Sequence, residues 1–117
     1  MNVAVVQGRA VAPAEPRELG SGSTVWSFDV ATTSAEGRSV SVPVCWTDPP
    51  RPPSFEAGAA VLVLGSVRRR FFRSGGATVS RTELVAERVV VGAARRARAA
   101  LAAEAVQRVG SAGDLPG

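Results

Sequence analysis

The sequence predicts an all-β fold: a small closed barrel of five strands, followed by one C-terminal α-helix. Three observations predict it. Apolar and polar residues alternate with a period of two in short runs separated by Gly-, Ser- and Pro-rich turns, the pattern of half-buried strands. Five such short runs, one bent by glycine near its middle, in about ninety residues favour a small closed barrel over a helical or α/β domain. After Gly92 the composition changes to a strong helix-forming set, mostly Ala, Arg, Leu, Glu, Val and Gln.

The first strand is expected from Val3 to Val11, with Gly8 inside it as a bend or bulge. Ala12-Pro13-Ala14-Glu15-Pro16 closes it, and Gly20-Ser21-Gly22-Ser23 is a turn. In the second strand Trp26, Phe28 and Val30 alternate with Ser27 and Asp29, which places Trp26 in the core. The third strand runs from Ser39 to Trp46. Its Val40, Val42, Val44 and Trp46 share one face, Ser41, Pro43 and Cys45 the other, and Pro43 predicts an edge position or a bulge.

The prolines of Asp48-Pro49-Pro50-Arg51-Pro52-Pro53 exclude regular structure, and Phe55 behind them is expected to plug the barrel end. The fourth strand spans Ala59–Arg73 and the fifth Thr78–Val91, so residues 1–91 form the barrel domain. Residues 92–109 hold the helix, with Glu104 and Arg108 as a favourable i,i+4 pair and Gly110 as its stop. This helix is expected to pack on the barrel or to serve a dimer. Residues 110–117 are expected to be a disordered tail.

Composition narrows the functions. The chain has 117 residues, enough for one domain with a modest core. All 14 basic residues are Arg, and Lys, His, Tyr and Ile are absent, the residue usage of a GC-rich genome. The net charge of +4 favours polyanionic partners. Without His there is no imidazole base, and without Lys no Schiff base or P-loop lysine. Cys45 is the single thiol, with no partner for a disulfide or a zinc site, and reads as a small buried residue. Neither catalysis, a cofactor, a metal nor a small-molecule substrate is expected. The N-terminus lacks a signal pattern, no apolar run is long enough to span a membrane, and the lone Cys suits a reducing cytoplasm.

Arg68-Arg69-Arg70-Phe71-Phe72-Arg73 stands out. It ends an apolar strand just before the Ser74-Gly75-Gly76 turn, which places four guanidinium groups and two rings on a projecting hairpin. Arg neutralises phosphates and exposed rings stack unpaired bases, so this is the chemistry of a single-stranded nucleic-acid binder. Strand alternation puts Arg68, Arg70 and Phe72 on one face, and Arg69, Phe71 and Arg73 on the other. Arg81 on the opposing strand extends the basic track.

Four segments then match a known pattern in order and spacing. These are Asn2-Val3-Ala4-Val5-Val6-Gln7-Gly8-Arg9, Phe28-Asp29-Val30-Ala31-Thr32, Gly58 with Val61 to Phe72, and Thr82 to Val89. From Asn2 to Val91 the sequence resembles bacterial single-stranded DNA-binding proteins of the OB-fold class, in particular short, Arg-rich actinobacterial forms. The resemblance implies a five-stranded OB-fold barrel that binds single-stranded DNA in replication, repair or recombination. It also implies a cytoplasmic, nucleoid-associated homo-oligomer, tetramer or dimer. It assigns base stacking to Phe72 and Trp46 and backbone contacts to Arg68 and Arg70, and Arg9 matches its basic position after the first-strand glycine; Arg73 and Arg81 complete the expected interface. For Trp46 the two readings differ, because periodicity puts it on the valine face, toward the core.

The sequence departs from that family in three places. A proline-rich segment, Asp48–Ser54, replaces the helix between the third and fourth strands. The loop between the second and third strands is short and lacks the aromatic often found there. The long acidic tail is reduced to Asp114-Leu115-Pro116-Gly117, a poor lure for repair enzymes. These departures leave a second reading open, an OB-fold assembly or adaptor module with weak or lost DNA binding. RNA in place of DNA is a third, since rings and Arg accept either backbone.

Overall fold

The computed structural model describes residues 1–113; of the tail expected at 110–117, residues 110–113 belong to the helix and residues 114–117 lie outside the described residues. Six strands and a helix follow in the order β1 (Ala4–Ala10), β2 (Glu15–Glu18), β3 (Thr24–Thr33), β4 (Ser39–Thr47), β5 (Ala60–Ser74), β6 (Ala77–Val91) and α1 (Arg95–Gly113). The sheet runs β1-β5-β6-β4-β3-β2, and a further β1–β3 pairing closes five of the strands into a ring. Two short seams complete that ring. One is antiparallel, Arg9↔Ala31 and Ala10↔Val30; the other is parallel, Val44↔Leu84 and Cys45↔Val85.

The five ring strands are those the alternation predicts. The sixth, β2, is not predicted, and its first two residues fall in the segment expected to close the first strand. Its residues, Glu-Pro-Arg-Glu, are all exposed and carry no alternating pattern, and β2 pairs only with β3. A proline is tolerated there because the strand lies at an edge, where one missing donor leaves no neighbour unpaired. Pro43 obeys the same rule, since β4 meets β6 only at Val44 and Cys45 and the rest of that flank is free.

Inside the ring, Phe28, Val30, Val44, Val61, Val63, Leu84 and Ala86 form the buried core. Phe55 comes in from the proline segment and meets Phe28 edge to face, with centroids 5.1 Å apart and planes at 74°. It fills the barrel end, as expected.

Gly8 makes a close approach rather than a bulge. A Cβ there would lie 2.2 Å from the carbonyl oxygen of Ala31, so the β1–β3 seam closes only around a glycine. A bulge sits instead in the β5–β6 pairing, at Leu64/Gly65. It reverses which β6 residues face inward and permits the tight curl of a small barrel.

The outer face of β5 and β6 is covered by α1. Leu101 is fully buried against Leu62, Leu64 and Val90, with Ala97, Ala105 and Val3 around it. Charged pairs flank this contact: Arg88 meets Glu104 at 3.2 Å, Arg108 meets Glu104 at 3.7 Å, and Arg108 also meets Glu87. Gly110 does not stop the helix, which continues to Gly113. One glycine costs only about 1 kcal/mol in a helix, too little to end one that is anchored by packing.

Candidate nucleic-acid interface

Beyond the barrel, β5 and β6 continue as a two-stranded arm. Their register runs from Arg68↔Glu83 through Arg70↔Arg81 and Phe72↔Val79 to Ser74↔Ala77. Gly75 and Gly76 make the turn, with φ of 59° and 81°. Two successive positive φ values define the tight hairpin turn whose twist matches that of the strands. Asn2 braces the root of the arm, as its side-chain amide donates to the Val67 carbonyl at 2.6 Å and accepts from the Val67 N–H at 2.9 Å.

This register settles the two faces. Val67 opposes Leu84, a core residue, so Arg69, Phe71 and Arg73 continue the inner face past the end of the core. Arg68, Arg70 and Phe72 lie on the outer face with Arg81 and Glu83. Phe71 is 66% exposed and Phe72 37%. Arg70 and Arg81 are directly opposed, and like charges in such a pair repel. Arg81 turns toward Asp29, at 3.5 Å, which leaves Arg70 without an acidic partner among the described residues. Arg73 donates to the Gly76 carbonyl at 3.5 Å and sits at the tip on the other face.

The root of the outer face is a groove of about 430 Å³ over the β4–β6 seam, lined by Arg17, Arg68, Arg70, Cys45 and Glu83 among others. Glu83 is its surprise. It is only 6% exposed, and its Oε1 accepts from Arg68 Nη2 at 2.6 Å and from Arg68 Nε at 3.3 Å. The same Nη2 lies 3.5 Å from Cys45 Sγ. The Glu83 hydrogen bond, the largest influence, holds the Arg68 pKa above its usual value. Burial pushes the Cys45 thiol up, and the Glu83 carboxylate beside it adds to the effect. Arg68, expected as a phosphate contact, is therefore already partly engaged by an internal acid. Sequence reasoning missed Glu83 because alternation alone makes it an exposed residue of an outward face.

No protein-family model matches the sequence, nor does any curated protein. Among solved structures, Plasmodium falciparum SSB in complex with ssDNA is similar at a TM-score of 0.67 and 16% identity, over 78% of this chain and 94% of that one. The N-terminal domain of PriB from Thermoanaerobacter tencongensis, a dimeric structure, is similar at a TM-score of 0.61 and 15% identity, over 79% of this chain and 97% of that one. The barrel is an OB-fold.

The OB-fold does not gather all of the expected residues. Arg68, Arg70, Phe72 and Arg81 share the outer arm face, but Trp46 stands elsewhere. It is half-buried and packs against the core with Val42, on the inner face of β4, and lines a groove with Pro50, Pro52, Pro53 and Glu87. Trp26 is half-buried too, directly across from Trp46 in the β3–β4 register. Cys45, buried as expected, occupies the opposite face. Arg9 lies at the β1–β3 seam, where it donates to the Gly58 carbonyl at 2.9 Å. Among the described residues no helix is long and apolar enough to cross a membrane, and no group of three or more His, Cys, Asp or Glu could hold a metal ion.

Proposed function

We propose that this chain is a non-enzymatic OB-fold protein that binds single-stranded DNA with little sequence preference, in replication, repair or recombination. One observation carries the reading: Arg68, Arg70, Phe72 and Arg81 lie together on one accessible arm face above a basic groove. Arg70 and Arg81 neutralise phosphates, and Phe72 offers a ring on which any base can stack. Arg69, Phe71 and Arg73 flank the same path from the inner side of the arm. The ssDNA complex of a structural neighbour supports this reading.

A second reading, an assembly or adaptor module, draws on an exposed apolar patch. Val5, Val106 and Val109 are all exposed and line one shallow depression with Val3 and Ala105. The same patch supports homo-oligomerisation of a DNA-binding form.

Fluorescence anisotropy of labelled oligo-dT, oligo-rU and duplex DNA tests the function. The wild-type chain should bind oligo-dT, and Phe72→Ala should weaken that binding by about 1–3 kcal/mol, the contribution of one stacked base. Oligo-dT affinity unchanged by Phe72→Ala would remove the stacking site. No binding of any single strand would leave the adaptor reading.

A further inference from the structure

A second basic groove lies away from the arm. It has a volume of about 690 Å³, within the range of ligand clefts. Arg9 of β1 and Arg98 of α1 line it together with Thr33 and Ser39. Each arginine is aimed by one bond to a main-chain carbonyl: Arg9 Nη1 to Gly58 at 2.9 Å, and Arg98 Nη1 to Gly92 at 3.3 Å. No acidic residue lines this groove, and neither arginine is among the ion pairs of the described residues. Arg68, Arg81, Arg88 and Arg108, in contrast, each have a carboxylate partner. Two guanidinium groups from distant parts of the chain thus line one cleft with donors to spare and no acidic partner among the described residues. Hydroxyls of Thr33 and Ser39 add neutral donors.

The two grooves are joined along one surface. The outer face of the β3–β4 hairpin carries the opposed pairs Ser27/Cys45, Asp29/Pro43, Ala31/Ser41 and Thr33/Ser39. The first pair lines the arm groove and the last lines the second groove. Only short side chains of the hairpin itself stand between them; of the two acids that border this stretch, Asp29 is matched by Arg81 at 3.5 Å, and Glu15 lies opposite Ser27 on β2. At ~3.4 Å per residue the hairpin spans roughly 20 Å from Ser27 to Thr33, a length that suits the ~4–16 nucleotides an OB-fold occupies.

We infer that the Arg9–Arg98 groove is a second phosphodiester site, which takes the backbone of the same single strand after it leaves the arm. The inference rests on the single-stranded DNA reading and extends it to a residue of the C-terminal helix. α1 is then part of the binding surface as well as a cover for Leu62 and Leu64.

The test compares oligo-dT of ~6 and ~16 nucleotides, the lower and upper range for one OB-fold, on wild type, Arg9→Gln/Arg98→Gln and Arg98→Lys. For the long oligonucleotide the double variant should bind several-fold more weakly. Its slope of log K against log salt should be shallower by about 1.4, or 0.7 for each of two phosphates lost. For the short oligonucleotide nothing should change, and Arg98→Lys, which keeps the charge, should retain the wild-type slope. Equal losses on both lengths, or none on either, would overturn the second site while wild-type binding leaves the arm reading intact. Saturable binding of a free nucleotide that the double variant abolishes, with no length dependence, would make the groove a mononucleotide pocket and also overturn it.

Discussion

Replacing Glu83 with Gln should move stability and DNA affinity in opposite directions. The Glu83 side chain is 7% exposed, whereas that of Arg68, 2.6 Å away, is 54% exposed. Breaking a fully buried ion pair costs about 3–5 kcal/mol, because the remaining charge stays desolvated. An exposed pair contributes only about 0–1 kcal/mol. Here the charge left behind is that of Arg68, which already reaches water, so the loss should fall between those limits, near 1–2 kcal/mol. Urea unfolding followed by the fluorescence of half-buried Trp26 and Trp46 would measure it. On the DNA side, Arg68 gains a free fork at the base of the arm groove. One more phosphate can then be neutralised, which steepens the salt slope by about 0.7. The gain in affinity should be about 1 kcal/mol at most, the upper end for an exposed ion pair, or roughly fivefold. Anisotropy with oligo-dT at a series of salt concentrations reads both quantities. A slope that stays the same or becomes shallower would refute the claim that Glu83 competes with phosphate for Arg68.

Two further outcomes follow from the packing. Gly65→Ala should cost about 3 kcal/mol, the upper end for overpacking, because its Cβ would lie 1.9 Å from the Val85 carbonyl oxygen and 2.8 Å from the Val85 carbonyl carbon. Thermal melting would detect this, and a Tm near that of the wild type would show that the β5–β6 bulge can widen freely. Cys45 should make stability fall at alkaline pH. A thiol pKa raised by folding contributes stability that is complete below the unfolded value, near 9.0, and is lost as pH rises through the folded one. The chain has no Lys or Tyr, so no other side chain titrates in that window. Urea midpoints between about pH 8 and pH 10 should therefore decline for the wild type and stay level for Cys45→Ala; parallel declines would refute the assignment.

The ring was legible in the sequence because each of its strands buries one face and so alternates. Trp26-Ser27-Phe28-Asp29-Val30 and the valine run of β4 state that burial directly. β2 was not legible, as Glu15–Glu18 is exposed throughout and forms a strand only because β3 offers a free edge. The arm triplet Arg68, Arg70 and Phe72 followed from alternation alone, and the register places it as expected. Glu83 and Arg98 did not follow. Whether an acid is buried under an arginine, or a helical arginine faces a seam, depends on which distant strands become neighbours, and local periodicity carries no record of that. The helix end failed for a related reason, since Gly110 weakens a helix locally while Leu101 and the charged pairs around Glu104 hold it from outside.

Both basic grooves lie over the seams of the barrel, where the backbone pairing is thinnest, with two residue pairs at each. A barrel of this kind is two half-sheets, β1-β5-β6 and β4-β3-β2, zipped along two short lines. On the path proposed above, a polyanion laid across both lines would act as a strap around the halves, and only while they are closed. On that path, binding and barrel closure would be one equilibrium seen from two sides, and occupancy would raise the resistance of the domain to opening.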